Sequence, residues 1–306
     1  MDREALLSQL SRMRQAQVGN QRVPHKPLLL LWLFGRFATT GTTLVSYREA
    51  EEPVSRLIND FGPPVTSPSR ARQRAAMPFV HLERELWDLR DQRGSELSPD
   101  VPERRSWLID HGAVGRLRAE VEQLLADPAT LAAAARQLLD LHFTPALASL
   151  ICDAVDLDPA TLEAASLHPP SIGRRPRRPG FAEEVLRAHA YACAVCGFDG
   201  ALGRNPVAIE AAHVRWHSQQ GPDEVANALA LCTLHHALLD LGVLGLSVDL
   251  RVLVSSLYVA RNAAGQAVHT LHGTALRPPQ PGQPAPAAAH VSWHGRLVFK
   301  GDVTAA

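Results

Sequence analysis

Two short-spaced ligand pairs stand out in this chain, Cys193 with Cys196 and Cys232 with His235. Brought together they make a Cys3His set. Three thiolates and one imidazole suit a closed tetrahedral site, the arrangement in which zinc serves structure rather than chemistry. Interleaved with these ligands are His213, Asn227, His236 and Asp240. A closed zinc site leaves those four free for other work. The segment TLHHALLDLG reads as a helix with a glycine just past its end, which puts His236 and Asp240 on one face, four residues apart, where they can hold one divalent ion. His213 ends a β-prone run, VAIEAAHV, and an imidazole with an ordinary pKa of about 6.5 suits a general base. One CxxC pair is a weak signal; two pairs, using three of four cysteines around an ordered His–Asn–His–Asp series, are much stronger. The fourth, Cys152, sits in the apolar run LASLICDAV and reads as a small core residue.

The series His213, Asn227 and His236, with a strand, a loop (GPDEVAN) and a helix in that order, resembles the HNH (ββα-metal) nuclease family of McrA-like restriction enzymes. The resemblance implies phosphodiester hydrolysis. His213 would be the general base, Asn227 would tie down the loop that orients it, and His236 with Asp240 would hold a catalytic Mg2+ or Mn2+. Many family members carry a His or Asp directly before the base, where this chain has Ala212. Glu210, two residues earlier on the same strand face, is one substitute; water and phosphate oxygens are the others. Two readings compete with a nuclease. One is an inactive fold kept for zinc-stabilised DNA binding. The other, a redox switch, lacks a thioredoxin-like context.

The helix and strand that carry these residues belong to a chain of 306 residues, a length that suggests two domains. With 46% hydrophobic and 20% charged residues it can bury real cores. The apolar run from Pro27 to Gly35 is far too short to span a bilayer. The opening MDREALLSQL does not read as a secretory signal, and cysteines assigned to metal rather than disulfides suggest a reducing cytoplasm. Net charge is zero, but its distribution is uneven. Residues 5–48 contain no acid and include Arg12, Arg14, Arg22, Lys26, Arg36 and Arg48; residues 61–82 contain no acid and include Arg70, Arg72 and Arg74. Screening confines the relevant field to about 10 Å, so a neutral protein with such windows can hold a phosphate backbone.

The first half reads as mostly helical. Helices are expected over 2–17, along HKPLLLLWLFGRFA, from the Ser46–Glu49 capping box to about Asp60, over 112–126, and after Asp127–Pro128 and Thr144–Pro145. The segment FVHLERELWDL is expected to be extended. This arrangement resembles the sulfur-binding domain that accompanies HNH nucleases in phosphorothioate-dependent restriction enzymes, on the strength of HKPLLLLWLFGR and AAMPFVHLERELW. The resemblance implies a small apolar pocket for sulfur, rimmed by basic and histidine side chains: His25, Lys26 and Pro27, then Met77, Pro78 and His81, with Arg104 or Arg105 further along; Arg22, Arg72 and Arg74 of the acid-free windows are candidate DNA contacts beside it. The family often has Tyr at the Met77 position. Sulfur in place of a non-bridging oxygen keeps the charge but makes a larger corner that accepts hydrogen bonds poorly. Apolar contact from Met77 and Pro78 tolerates it, and would desolvate an ordinary phosphate oxygen at a cost on the order of 1–3 kcal/mol.

The expected organisation is α+β: a mostly helical DNA-reading domain (1–165), a Pro/Arg-rich linker (166–180) and a ββα-metal domain with a structural zinc (181–306). LRPPQPGQPAPAAAH (276–290) reads as low-complexity linker, and Trp293 and Phe299 as packing, with His294 structural. The expected function is that of a type IV restriction endonuclease acting on double-stranded, phosphorothioated DNA. The alternatives are specificity for another DNA modification, a homing or toxin-like role, and the inactive binding protein. Cutting two strands suggests a homodimer.

Overall fold

An amphipathic start, capped where Asp2 accepts a hydrogen bond from the Ala5 N–H at 2.7 Å, folds as helix α1 (Arg3–Arg12) and buries Leu6 and Leu10. The computed structural model describes residues 1–15, 17–18, 21–65, 67–158 and 177–301. These fall into two compact units, Met1–Arg174 and Arg175–Ala306. The expected linker over 166–180 lies outside the described residues except for 177–180.

In the first unit the leucine-rich run is helix α2 (His25–Thr40), apolar nearly all round and therefore buried, with Pro27 in its first turn and Gly41 ending it in the left-handed conformation at φ 73°. Gly35 lets α2 approach other backbone: a Cβ there would lie 1.6 Å from the Val155 carbonyl oxygen. Helix α3 (Tyr47–Phe61) begins at the predicted box, in which the Glu49 N–H donates to Ser46 Oγ and the Ser46 N–H to Glu49 Oε2. Asp127 caps helix α4 (Pro128–His142) by accepting from the Ala129 and Thr130 N–H groups. Thr144 precedes helix α5 (Pro145–Ala154) without a side-chain cap.

Two expectations fail here. Residues 112–126 are a strand followed by a short helix, not one helix. Val114–Leu117 is the central strand of an antiparallel three-stranded sheet, between Val45–Ser46 and Trp87–Arg90. The segment expected to be extended opens instead as a one-and-a-half-turn helix (Ala76–His81) and only then becomes strand. In the first case pairing with distant chain overrides local pattern. The sheet is fixed by Trp87, whose indole N–H donates to the Phe79 carbonyl at 2.9 Å and whose ring meets Phe79 edge-on at 5.3 Å. Phe79 in turn meets Tyr47 edge-on. The buried carboxylate of Glu122 ties the sheet to the loop before it, accepting from the Thr43 N–H at 2.7 Å and from Arg116 Nε at 2.8 Å.

The second unit is built on a hairpin and a helix. Strands Ile209–His213 (β1) and Ala228–Cys232 (β2) pair antiparallel with Ile209 opposite Cys232 and His213 opposite Ala228. Helix α6 (Phe181–Ala188) precedes them, and helix α7 (Thr233–Asp240) starts directly after β2. The proline-rich stretch over 276–290 is no free linker: the N–H groups of Arg277, Gln280 and Ala287 donate to the carbonyls of Ala194, Ala188 and Ala226. It leads into helix α8 (Ala288–Leu297), where Trp293 and Phe299 beyond it are buried as expected, and His294 Nε2 donates to the Leu239 carbonyl at 3.0 Å. Among the described residues no helix is long and apolar enough to cross a membrane.

The substitution Gly35→Ala should force α2 away from the Val155 carbonyl and destabilise the first unit by roughly 1–3 kcal/mol, seen as a melting transition several degrees lower. An unchanged transition would mean that the close approach is not maintained in solution.

Candidate functional site

The two ligand pairs converge. Cys193 and Cys196 lie on the turn after α6, Cys232 ends β2 and His235 lies in the first turn of α7. Their ligand atoms all lie within 4.8 Å of one another, the one group of three or more metal-type side chains so spaced among the described residues. His235 Nδ1 is 3.4 Å from Cys193 Sγ and 3.2 Å from Cys232 Sγ. Tetrahedral bonding at ordinary zinc–sulfur and zinc–nitrogen lengths puts such atoms about 3.6 Å apart, so the set could hold zinc. Burial opposes ionisation of Cys193, but hydrogen bonds from the His235 ring and nearby backbone N–H groups outweigh it and bring the thiol down to about 6. Cys232 is pushed up to about 11 by burial and by the neighbouring thiols of Cys193 and Cys196, against a backbone hydrogen bond at His235 that lowers it. One thiolate is favoured and a second resisted, the imbalance that a cation removes.

Beyond this knuckle, α7 brings His236 and Asp240 together, with His236 Nε2 3.5 Å from Asp240 Oδ2, a separation at which both can bind one ion. The other ring nitrogen, Nδ1, is 2.6 Å from Glu210 Oε2. Glu210 sits on the far side of the imidazole, where a carboxylate orients a metal-binding histidine and raises its basicity.

His213 is placed differently. Residues alternate along β1, so Glu210 and Ala212 face α7 while His213 turns to the other side, where its ring stacks on Phe181 of α6 at 4.6 Å. His213 Nε2 is 2.8 Å from Asp223 Oδ1, and both side chains are buried. Burial holds the ring down at about 4, more than Asp223 can offset, so it is neutral at pH 7. Asn227, fully buried, accepts from the Arg215 N–H and donates through Nδ2 to the carbonyls of Arg215 and Pro222. The expected quartet thus forms two groups: His236 and Asp240 with Glu210, and His213 with Asp223, beside a loop that Asn227 holds. Asp223 went unread in the sequence. Its only signal was its place in GPDEVAN, four residues before Asn227.

In the first unit, the candidates for a DNA surface also divide. Arg74 is buried; its Nη1 donates to Asn59 Oδ1 at 3.1 Å and to the Pro63 carbonyl at 2.7 Å, and its Nη2 lies 3.1 Å from His25 Nε2. Burial, with Arg74 beside it, holds His25 down at about 3, so the ring is neutral and accepts that bond. Lys26 is buried against Glu83, Nζ to Oε1 2.8 Å. These three are engaged inside the unit. Arg72 and Arg104 are exposed, Met77 and His81 half-buried, and Pro27 and Pro78 buried. His81 Nε2 is 2.6 Å from Glu103, and Arg105 pairs with Glu51. The side chain of Arg22 lies outside the described residues. Glu83 was the missed partner, legible only as the acid that ends the acid-free window over 61–82.

Elemental analysis of the purified full chain should find about one zinc per chain, and Cys232→Ser should lose it and lower the melting transition of the second unit. Wild-type protein purified without chelator and free of zinc would refute the assignment.

Comparison with known proteins places both units. A family model described as the ScoMcrA-like DNA sulfur-binding domain matches residues 3–160, and one described as an HNH endonuclease matches residues 193–247. No curated protein matches the chain. Among solved structures, the sulfur binding domain of SprMcrA complexed with phosphorothioated DNA is 22% identical, with a TM-score of 0.38 over 55% of this chain and 95% of that one. The sulfur binding domain of ScoMcrA complexed with phosphorothioated DNA is 21% identical, with a TM-score of 0.41 over 51% and 97%. The type IV phosphorothioation-dependent restriction endonuclease ScoMcrA is 21% identical, with a TM-score of 0.41; the match covers 60% of this chain and 34% of that one. These structural likenesses are distant, whereas the first family model spans just over half of the 306 residues. The chain belongs to the family of the ScoMcrA-like DNA sulfur-binding domain, and it carries an HNH endonuclease domain in the same polypeptide.

Proposed function

We propose that this protein is a type IV restriction endonuclease that binds phosphorothioated DNA through its first unit and hydrolyses phosphodiester bonds with its second. The observation that carries it is the presence of both family matches, sulfur-binding and HNH, in one chain. Met77 and Pro78 supply the apolar corner for sulfur, and the exposed Arg72 and Arg104 supply phosphate contacts. Discrimination comes from the corner and affinity from the charges.

In the second unit, the Cys3His set holds a structural zinc that anchors β2 and the start of α7. His236 and Asp240 hold a divalent Mg2+ or Mn2+, with Glu210 orienting the imidazole. When bound, that cation supplies charge stabilisation for the phosphate and the leaving oxygen. His213, neutral at pH 7, accepts a proton from the attacking water. His213 terminates the β1 ladder, and Glu210, the partner of His236, lies on the opposite face of that strand. A second reading, DNA binding without cutting, takes support from Ala212 and from that divided placement.

Supercoiled plasmid carrying phosphorothioates separates the two. Wild-type protein with Mg2+ or Mn2+ should nick or linearise it, and His213→Ala should lower the rate at least about 100-fold while binding holds. No cutting of any DNA by wild type would leave only the second reading. For recognition, duplexes identical but for one phosphorothioate should differ in Kd by about tenfold or more. Equal affinity would remove the sulfur specificity.

A further inference from the structure

We infer that Asp223 is the positioning residue for His213, fixing its tautomer so that Nε2 carries the proton and Nδ1 is the nitrogen that accepts one from water. This rests on the nuclease function proposed above. Asp223 is a buried carboxylate whose two oxygens both face donors. Oδ1 is 2.8 Å from His213 Nε2, and Oδ2 accepts the Arg178 backbone N–H at 2.5 Å. An ionised carboxylate only accepts, so the proton shared with the ring belongs to Nε2. Burial would push the Asp223 carboxyl up, but the Arg178 N–H and the His213 ring hold it below the usual range, which keeps it ionised.

The carboxylate is itself braced. Arg178 Nε donates to the Asp223 carbonyl at 3.1 Å, while its guanidinium also forks onto Glu184 of α6 at 2.7 and 2.6 Å. On the other side, Asn227 Nδ2 donates to the carbonyl of Pro222, the residue directly before Asp223. Phe181, stacked at 29° to the imidazole, fixes the plane of the ring. Asn227 thus reaches the base through Pro222 and Asp223, and the segment leading into α6 reaches it through Arg178. In the reaction the water proton moves to Nδ1, the water oxygen bonds to phosphorus, and the bond from phosphorus to the leaving oxygen breaks. The resulting imidazolium is stabilised by Asp223 across Nε2–H.

The geometry makes Asp223→Asn diagnostic. An amide has one acceptor and one donor end, so with its oxygen kept on the Arg178 N–H it presents N–H to Nε2 and forces the proton onto Nδ1. The analogous change in the Ser–His–Asp proteases leaves geometry intact and lowers turnover about 10⁴-fold through the wrong tautomer. Nitrogen-15 NMR of histidine-labelled full-length protein, with the His213 signals identified by their loss in His213→Gln, reads the tautomer directly. The expected result is Nε2–H in wild type and Nδ1–H in Asp223→Asn. With that switch, cleavage should fall at least about 100-fold, DNA affinity and zinc content should be retained, and Asp223→Glu should recover part of the rate. A wild-type ring protonated on Nδ1, or an Asp223→Asn protein that cuts at the wild-type rate, overturns the proposal and leaves the nuclease function standing. Should Asp223→Asn lose its zinc or its fold, the wild-type tautomer and the Asp223→Glu rate decide instead. A wild-type protein that cuts no DNA removes the nuclease function and this proposal with it.

Discussion

Three thiols and an imidazole gathered within 4.8 Å form the contact on which the second unit depends. The four ligands come from a turn, a strand end and a helix start, so a single ion held there would settle the meeting of three elements at once. The hairpin strands of that unit are five residues long and the helices beside them eight to ten. Metal binding adds folding free energy where apolar burial is limited. It also fixes where α7 begins. His236 follows His235 directly, so the residue proposed to hold the reactive cation is displaced from the structural one by a single step of the helix.

Around this anchor, two carboxylates pair with histidines, one pair at the surface and one buried. Glu210 holds one nitrogen of His236, and Asp223 holds one nitrogen of His213. The two pairs occupy opposite sides of one short strand. His294, wholly buried, does comparable structural work by donating to the Leu239 carbonyl near the end of α7. The proline-rich stretch before it is bound to the unit through backbone N–H groups, so α7 is braced at both ends, by the knuckle at its start and by α8 near its finish.

What could be read from residues alone was what depends on near neighbours. The Ser46–Glu49 box, the Asp127 cap, the leucine helix and both knuckle pairs are local, and each appears where its spacing placed it. The Cys193–His235 contact is long-range, but paired short spacings announce it. What escaped notice depends on distant partners. The strand over 114–117 exists because it pairs with Trp87–Arg90, and its alternation across Gly115 and Leu117 was hidden inside a stretch with helical flanks. Glu83 finds Lys26 across 57 positions and the Arg14 N–H across 69. Asp223 is only ten residues from His213, yet its role needs a loop folded back and held by Arg178, 45 residues away. Composition misled over 276–290, since prolines and alanines say nothing about whether the intervening N–H groups find acceptors.

The burial of Lys26 and Arg74 changes what the acid-free windows mean. Cations that neutralise Glu83, or that fasten Asn59 and the Pro63 carbonyl, release no counterions when the protein meets a duplex. The first unit therefore has a smaller non-specific attraction to nucleic acid than its arginine count suggests, and its grip on ordinary DNA weakens less steeply as salt rises. With the specificity proposed above, such restraint would help, because selectivity is set by the ratio of specific to background binding and not by strength alone.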